Sequence, residues 1–249
     1  MAVGIIIQAR LGSTRLPRKI IREFYNGKTL LETVINNLRR SGDAKIIVAT
    51  SDNTNNDELE LFLKERSIAV FRGSEDDVLS RFIGAAEENN IDGIVRICSD
   101  NPFIDWHGVS KLIKKAKMSE ADYIGFRINN TPSIKTHFGF WGEYVTLDAL
   151  KRVALSTNDK LAHEHVTIYI YTHPDKYKCE WIDCPNFLQG RNDIRLTVDN
   201  TEDFENAKRV YSALCETNPN FGLKDVIEYI DANSDLQESM KEMIINNQK

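Results

Sequence analysis

The feature that most constrains this chain is a repeated succession: a short β-branched run, then an apolar stripe at helical period. Val3-Gly-Ile-Ile-Ile7 reads as a buried strand and is followed by an irregular polar loop from Gln8 to Lys19. Thr29 and Glu32 have capping-box spacing ahead of Leu30, Leu31, Val34, Ile35 and Leu38 at helical period. Lys45 to Ala49, Ile68 to Phe71 and Gly93 to Ile97 repeat the strand signal. The stripes Leu59/Phe62/Leu63, Val78/Leu79/Phe82/Ile83/Ala86 and Val109/Leu112/Ile113/Ala116 follow them in turn. Continuous apolar strands alternating with helices predict an α/β fold, a mostly parallel sheet with helices on both faces and right-handed crossovers.

The pattern changes over residues 121–193, where turn residues, aromatics and a helix-like stretch from Glu164 to Tyr171 mix. This region is expected to be a middle insertion that elaborates the sheet edge rather than a further βα unit. Ile194 to Val198 returns to strand character and ends at Asp199. Phe204, Ala207, Val210, Tyr211 and Leu214 mark a closing helix. With no repeat and no linker, one domain over residues 1–249 is expected, its last residues, Asn246 to Lys249, frayed.

Charge and cysteine usage exclude several classes. A net charge of −5 argues against broad nucleic-acid binding, although basic residues concentrate from Arg10 through Arg22. The four cysteines show no Cys-x-x-Cys spacing, which disfavours a zinc site or disulfide framework. The apolar start is too short for a secretory signal, and no run approaches the roughly 18 residues of a membrane span. A soluble, cytoplasmic protein without a membrane partner is expected.

In open α/β sheets ligands bind beyond the carboxyl ends of the strands. Three features fall at such ends. The loop after the first strand sets Arg10, Arg15 and Lys19 beside Gly12, Ser13 and Thr14, which suits a phosphate cradle; a solvated basic loop is the alternative. It has neither the Gly-x4-Gly-Lys-Ser/Thr nor the Gly-x-Gly-x-x-Gly spacing. Asp100 and Asp199 each follow an apolar run. They read either as turn formers and helix caps or as the carboxylates of one Mg²⁺ site. No Ser-His-Asp arrangement can be argued, and His163 and His165 read as caps or substrate contacts before metal ligands.

Motifs then narrow the choice. The Gln8–Lys19 loop resembles the first motif of the cytidylyltransferases that activate acidic sugars, such as the CMP-Kdo and CMP-sialic acid synthetases. Within that family the likeness is greatest to the branch of the spore-coat polysaccharide biosynthesis protein F. Phe71-Arg-Gly-Ser-Glu-Asp-Asp-Val-Leu79, Val95 through Asp105, Glu164-His-Val-Thr167 and Arg195 through Asp203 agree with it in order. The resemblance implies a Rossmann-like nucleotide-diphospho-sugar transferase fold. It implies that Ala9, Arg10, Gly12, Ser13, Arg15, Lys19 and Asp100 hold the nucleotide, and that Asp100 and Asp199 bind Mg²⁺. Arg15, Lys19 and Asp100 would carry catalysis, and the middle insertion would supply dimer and acceptor contacts. The family loop usually has glycine where this chain has Arg18, which adds bulk and charge beside the phosphates.

The reaction so implied is attack by a sugar hydroxyl on the α-phosphorus of CTP with release of pyrophosphate, for surface polysaccharide or glycan synthesis. A glycosyltransferase that consumes a nucleotide sugar, or a non-catalytic nucleotide-binding protein, is the alternative; neither would release pyrophosphate from a triphosphate and a sugar. Phe138, Phe140, Trp141 and Tyr144 suit either a homodimer contact or a lid over the chain's own sheet. Lys135 and His137, near Arg127, are candidate acceptor contacts toward an acidic sugar, with solvated loop residues as the other reading.

Overall fold

The structure, a computed structural model, describes residues 1–246. Its strands are β1 (Val3–Gln8), a hairpin of β2 (Glu23–Tyr25) and β3 (Lys28–Thr29), β4 (Ile46–Ser51), β5 (Ala69–Gly73), β6 (Gly93–Cys98), β7 (Tyr123–Ile128), β8 (Thr131–Pro132), β9 (Glu143–Thr146) and β10 (Cys179–Asp183). The helices are α1 (Leu30–Arg39), α2 (Asp57–Glu65), α3 (Val78–Glu88), α4 (Trp106–Met118), α5 (Leu147–Ser156), α6 (Lys160–His165), α7 (Ile168–Thr172), α8 (Thr201–Thr217), α9 (Leu223–Asp231) and α10 (Ser234–Asn246). Thr29 and Glu32 form the expected reciprocal cap on α1. Asn246 ends α10, and the rest of the expected frayed tail lies outside the described residues.

The central sheet runs β10-β7-β9-β6-β1-β4-β5, with β8 beside β7. From β1 the chain moves outward through β4 and β5, then returns to place β6 on the other side of β1. That reversal is the switch point where open α/β sheets leave a crevice. Gln8 and Cys98 stand in register as the last residues of β1 and β6, so the loops beyond them leave the sheet side by side.

Side-chain alternation along β1 builds two cores. Ile5 and Ile7 join the face covered by α1, α2, α4, α8, α9 and α10. Ile6 joins the face covered by α3, α5 and α7. The expectation of helices on both faces of a mostly parallel sheet holds.

Residues 121–193 differ from expectation. They do elaborate one edge, since β9, β7 and β10 extend the central sheet beyond β6, but they do so with a further βα unit. β10 lies parallel to β7, reached across α5, α6 and α7, which is a crossover unit of the kind that was not expected here. β9 is inserted antiparallel between β6 and β7. Turn residues at Asn129, Asn130 and Gly139, between β7 and β9, hid these two strands; all three take positive φ. The expected strand at 194–198 is an extended segment without a ladder. Ile194, Leu196 and Val198 are buried, yet the Leu196 and Thr197 N–H groups reach the His137 carbonyl at 2.8 and 3.2 Å. Burial supplied the strand-like pattern, but the pairing partner is a loop.

The dimer reading of the aromatic cluster is corrected as well. Phe138, Phe140, Trp141 and Tyr144 are 5% exposed or less and pack into this chain's own core, so they offer no surface to a second copy. Among the described residues no helix is long and apolar enough to cross a membrane.

Candidate active site

A cleft of about 330 Å³ lies at the switch point, lined by the Gln8–Lys19 loop, Arg96, Ser99, Asp100, Glu164, His165 and Asp199. Ala9, Arg10, Gly12, Ser13, Arg15, Lys19 and Asp100, all expected at the nucleotide, border it together. The loop is held from beneath. Leu11 and Leu16 are buried, and the Leu11 N–H donates to the Asn56 side chain at 2.9 Å. Asn56 in turn donates to the Ser51 hydroxyl at 2.7 Å, which fixes the loop against the end of β4. Nothing in the sequence pattern singles out Asn56.

Gly12 is informative because the fold does not need a glycine there. A Cβ at this position would meet no atom within 4 Å, and its φ is not positive. The free space opens on the cleft, where a ligand's oxygens could approach the backbone. Arg18 behaves differently from expectation. Its backbone is left-handed, φ 60° and ψ 18°, which accounts for the family's preference for glycine at that position. Its side chain turns away from the cleft to pair with Glu58, so it adds no charge beside the phosphate loop.

Asp100 and Asp199, far apart in sequence, meet across one ammonium group. Lys19 Nζ lies 2.8 Å from Asp100 Oδ2 and 3.9 Å from Asp199 Oδ1, and donates to the Val198 carbonyl at 2.5 Å. Arg15 approaches the same Asp199 oxygen at 3.3 Å. Asp199 does not stand at a strand end; it is delivered by the bond from the Val198 N–H to the Asp100 carbonyl, 3.0 Å. Behind it the buried Arg195 donates to Asp199 at 2.9 Å and to both oxygens of Asp203 at 2.6 and 2.8 Å. Asp203 also caps α8 with Asn200, so helix and carboxylate are set by the same residue.

The two expected acceptor residues border one cavity of about 310 Å³ together, and Lys135 reaches a second one as well. Lys135 lines a cavity of about 580 Å³ that shares Arg96, Cys98 and His165 with the main cleft. His137 does not border that cavity or the cleft; its Nδ1 faces Arg195 Nη1 at 2.6 Å, which makes it part of the support behind Asp199. Of the two, Lys135 alone also lines the cavity that joins the cleft. Arg127 is tied to Asp183 at 2.6 Å on the surface.

Sequence reasoning missed Gln8, Arg96, Glu143 and the turn before α7. Arg96 and Glu143 form a buried pair at 2.7 Å, 6% and 1% exposed by side chain. Glu143 also accepts from Tyr123 at 2.6 Å and Thr167 at 3.0 Å. Burial alone would depress the Arg96 guanidinium; Cys98 and Glu143 beside it reverse this and hold it charged. The signal available in sequence was an arginine inside the apolar run Gly93–Ile97, since a charge on a buried strand must be paired or used. Between α6 and α7, Val166 has φ 54° and ψ −56°, and the Thr167 N–H returns to the His165 carbonyl at 2.5 Å. This is a γ-turn in its strained form, centred on a β-branched residue and held by burial of Val166 and the Thr167–Glu143 bond.

A cationic loop beyond β1 meets two carboxylates at the switch-point cleft, Asp100 beyond β6 and Asp199 on the segment bonded to it, an arrangement that suits a nucleotidyltransferase on this fold. The family model for cytidylyltransferases matches residues 4–237. The chain belongs to the cytidylyltransferase family, whose reaction is CTP-dependent cytidylyl transfer. It is 33% identical over 236 residues to the spore coat polysaccharide biosynthesis protein SpsF of Bacillus subtilis, covering 92% of this chain and 94% of that one. A cytidylyltransferase structure from Leptospira borgpetersenii superposes with a TM-score of 0.82 at 29% identity, covering 95% and 96% of the two chains. A CMP:2-keto-3-deoxy-manno-octonic acid synthetase complexed with CTP has a TM-score of 0.64 at 14% identity, covering 84% and 98%, and shares the fold.

Proposed function

We propose that the chain transfers CMP from CTP to an acidic sugar for surface polysaccharide synthesis, with Mg²⁺ between Asp100 and Asp199. The observation that carries this reading is the convergence of Lys19, Asp100 and Asp199 at the switch-point cleft. Among the described residues no group of three or more His, Cys, Asp or Glu side chains gathers as a metal cluster. The donor set nonetheless fits a hard cation that takes one or two carboxylates and completes its shell with water and phosphate oxygens. In the adjoining cavity of about 130 Å³, Asn101 Oδ1 and Thr197 Oγ1 are buried oxygens without a protein partner, beside both carboxylates. When bound, the ion supplies charge neutralisation at the reacting phosphate.

The protein's part is positioning and electrostatics. The oxygen of a sugar hydroxyl forms a bond to the α-phosphorus and its proton passes to solvent, while the bond from that phosphorus to the α–β bridging oxygen breaks and pyrophosphate leaves. Arg10, Arg15 and Lys19 stabilise the departing charge, and the backbone of Ala9, Gly12 and Ser13 lies along the phosphates. Lys135 faces the acceptor. The name of the Bacillus subtilis relative supports the polysaccharide role, and that of 3-deoxy-manno-octulosonate cytidylyltransferases, such as one from Rickettsia akari at 31% identity over 139 residues (53% of this chain and 52% of that one), supports an acidic acceptor. A cytoplasmic enzyme drawing on the nucleotide pool accords with this reading.

A matrix of the four nucleoside triphosphates against acidic and neutral sugars, read by pyrophosphate release, tests the proposal. The expected outcome is release only with CTP and an acidic sugar. Equal release with UTP or GTP, or with neutral sugars alone, overturns it.

A further inference from the structure

The cleft and the 580 Å³ cavity meet along a seam made by Arg96, Cys98 and His165, which border both. In a transfer reaction the two substrates touch at one place, so the seam is where acceptor and α-phosphate come together. On the acceptor side the lining carries Arg96, Lys135 and His165 and no carboxylate. The acidic side chains at the seam, Asp100, Glu164 and Asp199, all belong to the nucleotide side. Lys135 holds its ammonium 5.5 Å from the centre of the Tyr171 ring, an amphipathic wall suited to a sugar.

Arg96 is built to present donors there. A guanidinium has five N–H groups. In this protein two are used, Nη1 toward Glu143 at 2.7 Å and Nη2 toward Gln8 Oε1 at 3.2 Å. Its Nε is buried with no partner and closed off from solvent, so the N–H groups left for a ligand are those of Nη1 and Nη2. Burying an arginine so incompletely bonded is costly unless a ligand completes the set. Glu143 is the reverse case, saturated by Arg96, Tyr123 and Thr167 from three different segments. It fixes the guanidinium plane, and through Thr167 it also fixes the strained turn that carries His165. The bond from Arg96 to Gln8 Oε1 leaves the Gln8 amide N–H₂ free to point elsewhere in the nucleotide cleft.

We propose that Arg96 is the specificity-determining residue for the acceptor, receiving the sugar carboxylate through the uncommitted N–H groups of Nη1 and Nη2, with Glu143 as its positioning residue. The inference rests on the nucleotidyl-transfer reading and adds to it the group that selects an acid. The planar fork of arginine matches a carboxylate, whereas a lysine at the same place offers a point charge.

The test compares wild type, Arg96→Lys and Glu143→Gln with CTP and 3-deoxy-manno-octulosonate, and with the sugar's C1 carboxamide. Steady-state KM and kcat are read by pyrophosphate release, and thermal melting is followed alongside. Wild type is expected to favour the acid, and Arg96→Lys to raise KM for the acid about tenfold or more with KM for CTP unchanged. The same variant should cost little with the carboxamide. Glu143→Gln should reproduce the acid-specific effect more weakly. If Arg96→Lys does not fold, the charge-neutral Arg96→Met/Glu143→Gln double variant replaces it, and loss of acid preference is expected. An equal penalty on acid and amide, a raised KM for CTP, or a wild type indifferent to the carboxylate overturns the assignment while leaving cytidylyl transfer standing. Absence of pyrophosphate release from wild type with every sugar overturns both.

Discussion

Two regions face each other across the cleft and are held in opposite ways. The loop after β1 keeps Arg10 and Arg15 exposed and takes its shape from backbone bonds, two buried leucines and Asn56. Across from it, β9 and the turn before α7 place their charge inside, where Glu143 neutralises Arg96 and three donors converge on one carboxylate. Exposed cations cost the fold little and are available to a ligand. Buried ones must be balanced within the chain, so they serve first to fix geometry. The difference predicts that substitutions of the exposed loop cations Arg10 and Arg15 alter substrate binding at constant stability, while those around Glu143 alter stability first.

The largest expected effect lies on the buried side. Glu143→Leu leaves Arg96 uncompensated and should cost about 3–5 kcal/mol of unfolding free energy, measured by urea titration. A loss below about 1 kcal/mol would mean that water or a ligand already shares the charge. Next come the carboxylates that bridge the regions: Asp100→Asn or Asp199→Asn should each lower turnover about a hundredfold with melting nearly unchanged, and added Mg²⁺ should restore it only in part. Full activity in either variant removes the shared cation site.

Within the loop, Lys19→Ala and Arg15→Ala should each weaken kcat/KM for CTP by about 1.5–3 kcal/mol, the loss of a charge-assisted contact. Normal kinetics in both would detach the loop from phosphate. Arg18→Gly should go the other way, raising stability by about 0.5 kcal/mol as relief of the left-handed backbone outweighs the added freedom of the unfolded chain. KM for CTP should stay within about twofold, because Arg18 faces Glu58.

The smallest effect is a pH dependence. His163 has its Nδ1 2.9 Å from Asp77 and its Nε2 2.9 Å from the Thr157 carbonyl, which with Asp77 raises its pKa against a smaller effect of burial. A raised folded-state pKa contributes stability that is complete below about 6.5 and disappears as pH rises through the higher folded value. Melting temperature should fall across that window in wild type and less so in His163→Gln. Identical slopes would show that the contacts do not need the charge.

What could be read from sequence follows the same division. Strands β1, β4, β5 and β6 and their helices announce themselves because each buries a continuous apolar run or a 3.6-residue stripe. The site residues of the loop were legible as a cluster of cations beside small residues. The strands β7, β9 and β10 were not: each is short, and the turns at Asn129, Asn130 and Gly139 between β7 and β9 dominate that stretch of sequence. Asp199 was found for an incomplete reason: the run before it is buried, but it pairs with loops rather than a strand. Arg96 left one local trace, a charge inside the apolar run Gly93–Ile97, but Glu143 and Thr167 escaped because their significance is a meeting of residues from separate segments, which no local pattern encodes.

The sheet order carries a consequence for how the chain is made. β9 comes after β7 in sequence but lies between β6 and β7 in space. A chain emerging from the ribosome therefore completes β6 while the strand that will cover its free edge is still unsynthesised. Until Glu143 appears, that edge is open and Arg96 has no carboxylate, so the half-made sheet is sticky along one side and carries an unbalanced charge. The pair that later sets the geometry of the seam thus also marks the moment when the nascent sheet can close, and anything that stalls translation before residue 143 should favour association over folding.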